Sequence, residues 1–258
     1  KVINFPMWSE YYDGYINWED IMKNTEPLME NPIPNPDDLI TIIYTSGTTG
    51  LPKGVLHRYG AIGFAAANAM KLLDNLSPAD RFFSYLPLSH IAERMLVEMG
   101  SIYSGGTMSF AESLETFPMN LKETKPTVFL AVPRIWTKFQ MGILAKMNQN
   151  KLDLLMRIPI VNNLIKKKIK EGLGLENAKY LLSGAAPLPV ATTNWFDHIG
   201  FRIYEAYAMT ENCAYSHLSL PNSRKVGSVG CSLTFNEVRF SEEGKKKKKS
   251  DAIMVGYY

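Results

Sequence analysis

Residues 39–54 read Leu-Ile-Thr-Ile-Ile-Tyr-Thr-Ser-Gly-Thr-Thr-Gly-Leu-Pro-Lys-Gly. The first seven are mostly apolar, β-branched or aromatic, which predicts a buried strand over Leu39–Thr45. The loop after it combines glycines, hydroxyl side chains and one lysine. Glycines let backbone N–H groups converge on an anion, hydroxyls donate to it or bind magnesium, and lysine neutralises its charge. The stretch therefore predicts a strand that ends in a polyphosphate-binding loop.

This loop differs from a Walker A loop, which requires a glycine immediately before the lysine, where this chain has Pro52. A P-loop kinase or NTPase is thus disfavoured. The structural alternative is a flexible surface turn rich in glycine, serine and threonine. Every polar residue type that phosphate binding needs follows the strand directly, which favours the functional interpretation.

The rest of the chain alternates between two patterns. Runs typical of short buried strands occur at Arg81–Leu86, Thr107–Phe110, Thr127–Val132, Lys179–Leu182 and Phe201–Tyr204. Segments with helical periodicity occur at Tyr59–Leu73, Ile91–Tyr103, Pro133–Met147, Ile160–Glu171 and Pro189–Ile199. This alternation predicts an α/β fold with mostly parallel sheets flanked by helices. Ligands of such sheets bind at the carboxyl ends of the strands.

The string at residues 44–54, YTSGTTGLPKG, resembles the phosphate-loop signature of the adenylate-forming superfamily, which includes acyl-CoA synthetases, firefly luciferase and peptide-synthetase adenylation domains. Further signatures follow in the family's order, so the resemblance covers nearly the whole chain. It implies the large domain of an acyl-adenylate-forming enzyme. It also implies that ATP contacts Thr45, Ser46, Gly47, Thr48, Thr49, Gly50 and Lys53. Lys53 is the implied catalytic lysine of this loop, and Thr45 an implied metal ligand.

Residues 204–211, Tyr-Glu-Ala-Tyr-Ala-Met-Thr-Glu, resemble the family's Y-G-x-T-E motif, with Ala208 in place of the usual glycine. An aromatic face can stack on adenine, and a carboxylate can hold Mg²⁺ through oxygen. By resemblance Tyr207 contacts the adenine, Thr210 the α-phosphate and Glu211 the metal, the last two as catalytic residues. Further ATP contacts are implied at Glu205, Ala206 and Ala208. A Thr-Glu pair at the start of a helix is the structural alternative.

Residues 183–188, Ser-Gly-Ala-Ala-Pro-Leu, are similar to a family segment whose backbone lies along the adenine. Small residues suit that position because the backbone must approach a flat ring closely. The resemblance implies ATP contacts at Gly184, Ala185 and Ala186. A tight strand-to-helix turn is the alternative, and the two interpretations are compatible.

Two segments contain residues implied to bind the carboxylic acid substrate. His90, in residues 86–93 (LPLSHIAE), falls where the family has a histidine or aromatic residue that orients the substrate carboxylate. It is therefore an implied catalytic and acyl-binding residue. The segment from Val132 to Trp136 resembles the V-P-x-x-W segment of long-chain acyl-CoA synthetases, in which the tryptophan gates the fatty-acyl tunnel. Val132 and Trp136 are implied acyl-binding residues. The alternatives are a structural histidine and a core tryptophan.

The resemblance implies that ATP and Mg²⁺ activate a fatty acid to acyl-AMP, with release of pyrophosphate, and that coenzyme A then accepts the acyl group. The alternatives are an aryl or short-chain acid–CoA ligase, an amino-acid-adenylating domain, a non-catalytic nucleotide-binding module and a membrane-associated scaffold. Residues 1–38 are predicted to be an irregular approach segment, and residues 39–258 a partial ATP-binding adenylation core. Because the family's carboxyl-terminal lid domain does not follow, weak or no turnover is expected of this fragment.

The amino-acid composition narrows the classes of protein and the cellular compartments that remain possible. Apolar residues make up 46% and charged residues 21%, as in ordinary globular proteins. The net charge of +3 is concentrated in Lys245–Lys249, so no nucleic-acid partner is predicted. Two cysteines without metal-ligand spacing, and no signal-peptide pattern, predict a cytoplasmic protein.

Two lysine-rich segments stand apart. The basic amphipathic stretch Lys151–Lys170 is predicted to be a surface helix, with peripheral membrane contact as the alternative. The run Lys245–Lys249 is predicted to be a solvated loop, a tag-like artefact or a stretch whose true residues were not identified, because five like charges in a row do not suit a half-buried strand. No function is predicted for it.

Overall fold

The computed structural model describes residues 3–4, 14–46, 51–73, 76–243 and 246–258. The chain divides into two compact units, residues 1–34 and 35–258. In the first unit, β1 (Ile3–Asn4) pairs in parallel with β2 (Ile16–Asn17), and α1 (Trp18–Asn24) follows. The sequence pattern did not predict this helix. Acidic residues in its first turn and a lysine in its last suit the helix dipole.

The second unit begins with an antiparallel hairpin. The predicted strand forms as β3 (Leu39–Thr45) and pairs with β4 (Lys53–Arg58), which the sequence analysis missed. The prediction that this strand is buried is wrong, because Ile43 is its one buried residue and most of the others are exposed. The pairing places Thr45 opposite Lys53, so the predicted phosphate loop connects the two strands. The last strand of the chain, Gly256–Tyr257, pairs with the other edge of β4. Residues 39–45 therefore belong to a separate antiparallel sheet, because a short hairpin joins antiparallel strands.

The main sheet has seven strands. Five are parallel: β5 (Arg81–Ser84), β6 (Thr107–Phe110), β7 (Val128–Ala131), β8 (Tyr180–Ser183) and β9 (Ile203–Tyr207). Two short antiparallel strands, β10 (His217–Leu218) and β11 (Cys231–Ser232), extend the sheet beyond β9. The strand order is β11-β10-β9-β8-β7-β5-β6. The predicted large, mostly parallel sheet is confirmed.

Helices connect and flank these strands. They are α2 (Tyr59–Leu72), α3 (Met99–Ser104), α4 (Phe117–Thr124), α5 (Pro133–Lys146), α6 (Gln149–Met156), α7 (Pro159–Leu173) and α8 (Val190–His198). A π-helical segment, Glu93–Glu98, precedes α3, so the single helix predicted over residues 91–103 is in two parts. Among the helices that the structure describes, none combines the length and apolar character needed to cross a bilayer.

An aromatic core ties α5 to the sheet. Trp136 is completely buried, and its ring meets Phe129, Phe139 and Phe196 at centroid distances of 5.8, 5.9 and 5.3 Å. Its indole N–H donates to the carbonyls of Ala131 (3.1 Å) and Leu182 (3.3 Å). These carbonyls lie at the ends of β7 and β8. The tryptophan therefore fixes α5 against two strand ends.

The lysine run forms a strand. Antiparallel strands β12 (Glu237–Phe240) and β13 (Lys246–Lys249) make a two-stranded ribbon, in which Glu237 lies opposite Lys249. The prediction of a loop is wrong, because the ribbon leaves Lys247 and Lys249 exposed and hydrated while Lys248 is half-buried. The chain then ends with β14 (Gly256–Tyr257).

Candidate active site

One cavity lies at the carboxyl ends of β7, β8 and β9. Its volume is about 360 Å³. The predicted site residues that line it are His90, Val132, Gly184, Ala185, Ala206, Ala208, Thr210 and Glu211. The structure thus brings residues predicted for the acid and residues predicted for the nucleotide into a single cavity.

The turn after β8 forms one wall of this cavity. A Cβ atom on Gly184 would lie 3.4 Å from the carbonyl oxygen of Ala206, so the two backbones approach closely. Ala185 has φ of 65°, which costs of order 1–3 kcal/mol in a residue other than glycine and recurs at binding sites. The buried Glu205 carboxylate accepts from the N–H of Leu188 (3.2 Å) and holds the turn in place. Six described residues that were predicted to contact ATP do not line the cavity: Thr45, Ser46, Lys53, Ala186, Glu205 and Tyr207.

Tyr207 lies beside the cavity, between two alanines that line it. Its ring meets His217 edge-on with centroids 5.7 Å apart, and the Lys248 ammonium lies 4.7 Å from the ring centroid. A cation over an aromatic face is attracted by the ring electrons. The ribbon that carries Lys248 therefore contacts the ring predicted to stack on adenine, a relationship that the sequence analysis missed.

A tight turn after β9 presents Thr210 and Glu211. It is a 3₁₀ turn over Thr210–Asn212, and the buried Asn212 side chain accepts from the N–H of Met209 at 3.0 Å. Cys213 and Ala214 follow with φ of 51° and 54°. Two consecutive left-handed residues other than glycine are uncommon. The conformation of this turn is thus held by Asn212, which the sequence analysis did not single out.

The antiparallel sheet meets this turn through its last strand. The Tyr257 hydroxyl donates to Glu211 Oε1 at 2.9 Å, and this hydrogen bond raises the pKa of Tyr257. Lys53 Nζ lies 5.4 Å from the centroid of the Tyr257 ring. The Met254 N–H donates to the Glu211 carbonyl (2.8 Å). Lys53 is therefore brought to the Glu211 side of the cavity by β14, which carried no recognised motif.

Of the residues predicted to hold metal and phosphate, Glu211 lines the cavity. Glu211 offers carboxylate oxygens at the cavity, and oxygen ligands are those that Mg²⁺ prefers. Thr45, the second predicted metal ligand, is paired with Lys53 in the antiparallel hairpin of β3 and β4. Ser46 follows Thr45 in the chain. The predicted contacts at Gly47, Thr48, Thr49 and Gly50 lie outside the described residues.

Of the three residues predicted to bind the acyl group, two line the cavity and one lies in the aromatic core. His90 is exposed at the cavity, with its Nδ1 accepting from the Ala92 N–H at 3.3 Å. Val132 lines the same cavity. Trp136 is in the aromatic core and does not belong to the described lining. The structure therefore brings two of the three together.

A buried histidine–cysteine pair underlies the cavity. His57 is completely buried, and its Nδ1 lies 3.3 Å from Cys213 Sγ. Burial lowers the pKa of His57 and raises the pKa of Cys213 to about 12. Cys213 lines the cavity but stays a protonated thiol at neutral pH, so it is not a nucleophile.

Glu93 supports the segment that carries His90. It is completely buried, its Oε1 accepts from the Tyr85 N–H at 3.2 Å, and burial raises its pKa above the usual 4.5. The folded state therefore holds this proton more tightly than the unfolded state. The contribution to stability is greatest below pH 4.5 and falls as the pH rises towards the folded pKa.

Exchanging this carboxyl for an amide, Glu93→Gln, is expected to flatten the dependence of the free energy of unfolding on pH. The amide keeps an acceptor oxygen for Tyr85 and never ionises. Urea unfolding at several acidic to neutral pH values measures the effect. Glu112→Gln, at an exposed position, is the control. Parallel curves for wild type and Glu93→Gln would contradict the assignment.

The comparisons with known proteins place this geometry in a family. A family model described as AMP-binding enzyme matches residues 8–252. The chain is 32% identical over 226 residues to the long-chain-fatty-acid–CoA ligase ACSBG2 of Xenopus laevis, covering 76% of this chain and 31% of that protein. It is 30% identical over 251 residues to the putative fatty-acid–CoA ligase fadD11 of Mycobacterium tuberculosis, covering 86% and 44%. The chain thus spans less than half the length of these relatives.

Solved structures share the fold. The N-terminal domain of FACL13 from Mycobacterium tuberculosis superposes with a TM-score of 0.70 at 24% identity, covering 94% of this chain and 58% of that one. The anthranilate CoA ligase AuaEII, solved with anthranoyl-AMP, gives a TM-score of 0.76 at 19% identity, covering 99% and 47%. At these identities the likeness concerns the fold alone. The family match over residues 8–252 shows that the chain belongs to the AMP-binding enzyme family.

Proposed function

We propose that this chain is the nucleotide-binding core of an acid–CoA ligase that forms an acyl-adenylate from ATP and a carboxylic acid. The observation that carries the proposal is the single cavity at the strand ends, lined by both His90 and the Thr210–Glu211 turn. Acyl-adenylate formation needs the acid and the α-phosphate side by side, and proximity of this kind supplies much of the rate enhancement.

The chemistry is an in-line attack of a carboxylate on the α-phosphorus of ATP, with pyrophosphate as the leaving group. Two anions must approach each other, so charge neutralisation and alignment are the main requirements. Lys53 would neutralise phosphate charge, Thr210 would donate to the α-phosphate, and His90 would orient the acid. Bound Mg²⁺, held by Glu211 and Thr45, would neutralise further charge. In the second half-reaction the thiolate of coenzyme A displaces AMP.

We propose a fatty acid as the substrate. A second cavity, of about 590 Å³, lies between α4, α5 and α7. Its walls are mainly apolar, with Phe117, Leu121, Phe139, Ile143 and Ile165 among them. An aliphatic chain suits such a wall because burying it gains about 25 cal/mol for each Å² removed from water. The names of the relatives, long-chain-fatty-acid and fatty-acid–CoA ligases, support the same substrate class.

Pyrophosphate release by the protein that contains this chain, measured over a panel of alkyl and aryl acids with ATP and Mg²⁺, tests the proposal. Release with fatty acids is expected, and coenzyme A should then consume the adenylate. Release only with aryl or amino acids would contradict the fatty-acid assignment. Binding of ATP without pyrophosphate release for any acid would instead indicate a nucleotide-binding module.

A further inference from the structure

A third cavity, of about 500 Å³, lies at the amino end of β9. Residues from α7, from α8, from the segment between α8 and β9 and from the segment after β10 meet there. The described residues that line it are Lys166, Asp197, Gly200, Arg202, Pro221 and Arg224. None of these residues lines the cavity at the carboxyl ends of β7, β8 and β9. The third cavity is therefore a separate site from the candidate active site.

Positive charge dominates the lining of this cavity. Lys166, Arg202 and Arg224 contribute three cations, and among the described lining residues Asp197 is the one that is negative. Arginine stays charged at every physiological pH, and like charges gathered in one cavity repel each other. An anion that carries two negative charges would offset the excess. The charge balance thus favours a dianionic ligand.

Arg224 is held in a fixed orientation. Its Nε donates to the carbonyl of Ile203 at 2.9 Å, and its Nη1 donates to Asp197 Oδ2 at 2.8 Å. The Arg224 side chain is only 14% exposed. A guanidinium held in this way loses little conformational freedom on binding, and its planar fork matches the oxygens of a phosphate. Arg224 is therefore suited to recognise a phosphate group.

Two atoms of the Arg224–Asp197 ion pair remain unpaired. Arg224 Nη2, a donor, and Asp197 Oδ1, an acceptor, are buried and have no hydrogen-bond partner among the described residues. Leaving such atoms unpaired in the folded protein is unfavourable. Hydrogen phosphate can satisfy both atoms, because its oxygens accept and its remaining hydroxyl donates. Sulfate has no proton to donate at neutral pH, so it can satisfy only the arginine.

The stem of Lys166 lies against Gly200. A Cβ atom on Gly200 would lie 3.0 Å from Lys166 Cδ, and Gly200 has φ of 83°. Both the left-handed backbone and the close approach suit glycine. The glycine therefore lets a lysine of α7 cross the backbone just before Arg202, which places the two cations at the same cavity.

We propose that this cavity is a binding site for a small phosphate compound that keeps one ionisable hydroxyl, with inorganic phosphate as the simplest case. Lys166, Arg202 and Arg224 bind the charged oxygens, and Asp197 accepts from the hydroxyl. The volume lies within the roughly 300–1,000 Å³ of small-molecule pockets, which favours a small ligand over a macromolecular surface. The ligand lies at the opposite end of β9 from the Thr210–Glu211 turn, so the inference is independent of the acid-activating function proposed above.

Titration calorimetry with inorganic phosphate, on the protein that contains this chain, tests the site. The double variant Lys166→Gln/Arg202→Gln removes two cations and leaves the Arg224–Asp197 pair in place. We expect it to weaken phosphate binding by at least about tenfold, because hydrogen bonds to charged groups are the strong ones. Lys167→Gln is the matched control, since it removes one positive charge from an exposed position of α7 and should behave as wild type. Sulfate is expected to bind wild type more weakly than phosphate.

Several results would overturn the site. They are the absence of phosphate binding to wild type, unchanged binding in the double variant, or an equal loss in Lys167→Gln. Loss of binding in Lys53→Gln but not in the double variant would place the phosphate in the candidate active site instead. Sulfate binding as tight as that of phosphate would overturn the role of Asp197. Flotation with vesicles that contain phosphatidic acid separates the two sources of phosphate: vesicle binding that the double variant abolishes, without binding of free phosphate, would assign the cavity to a lipid headgroup and overturn the small ligand.

Discussion

Truncation of Trp136 to alanine is expected to lower the free energy of unfolding by about 3–5 kcal/mol. The indole is completely buried, packs against three aromatic rings and donates to carbonyls at the ends of β7 and β8. Its loss leaves a cavity next to the strand ends and removes a hydrogen bond from two buried acceptors. Urea denaturation followed by circular dichroism measures the change.

Trp18→Ala is the control for this experiment. Trp18 is 38% exposed, so its truncation should cost much less. A loss of less than about 1 kcal/mol for Trp136→Ala, in the range of ordinary surface substitutions, would contradict a core role. If acyl binding changed while stability did not, the tryptophan would act on the acyl passage, as the sequence resemblance implies.

Replacement of Glu211 by glutamine is expected to weaken binding of ATP in the presence of Mg²⁺ by at least roughly tenfold. The amide is nearly isosteric but loses the negative charge that a hard cation prefers. It also keeps an acceptor for the Tyr257 hydroxyl, so the turn should stay in place. Calorimetric titrations with Mg²⁺ and with a chelator separate the metal-dependent part of the affinity.

The dependence of ATP affinity on Mg²⁺ shows whether Glu211 binds the metal. In wild type, removal of Mg²⁺ should weaken ATP binding, whereas Glu211→Gln should respond little. Glu123→Gln, at an exposed position of α4, should behave as wild type. Full magnesium dependence in Glu211→Gln would show that another group holds the metal.

Much of the fold could be predicted from local pattern. Strands β5 to β9 are short apolar runs bounded by polar residues, and the helices between them show regular periodicity, because burial on a sheet imposes both. Strand β4 was missed because its residues overlap the glycine-rich loop and contain no alternating run. Strand β13 was missed because a lysine run predicts solvation, and local sequence does not show that a ribbon partner exists.

Local sequence pattern likewise predicted only part of the candidate active site. The residues of the family motifs that line the cavity follow strands, so their position at the strand ends could be predicted. The roles of Tyr257 and His57 could not be predicted, because their partners Glu211 and Cys213 lie 46 and 156 positions away in the chain.

The most direct test of the central claim is a crystal structure of this protein with a bound acyl-sulfamoyl-adenosine. The account predicts that the adenine lies between the backbone at Gly184–Ala185 and the ring of Tyr207, with the sulfamate beside Thr210 and the acyl end towards His90. Density for the ligand in any other cleft, with the cavity at the ends of β7, β8 and β9 empty, would contradict it.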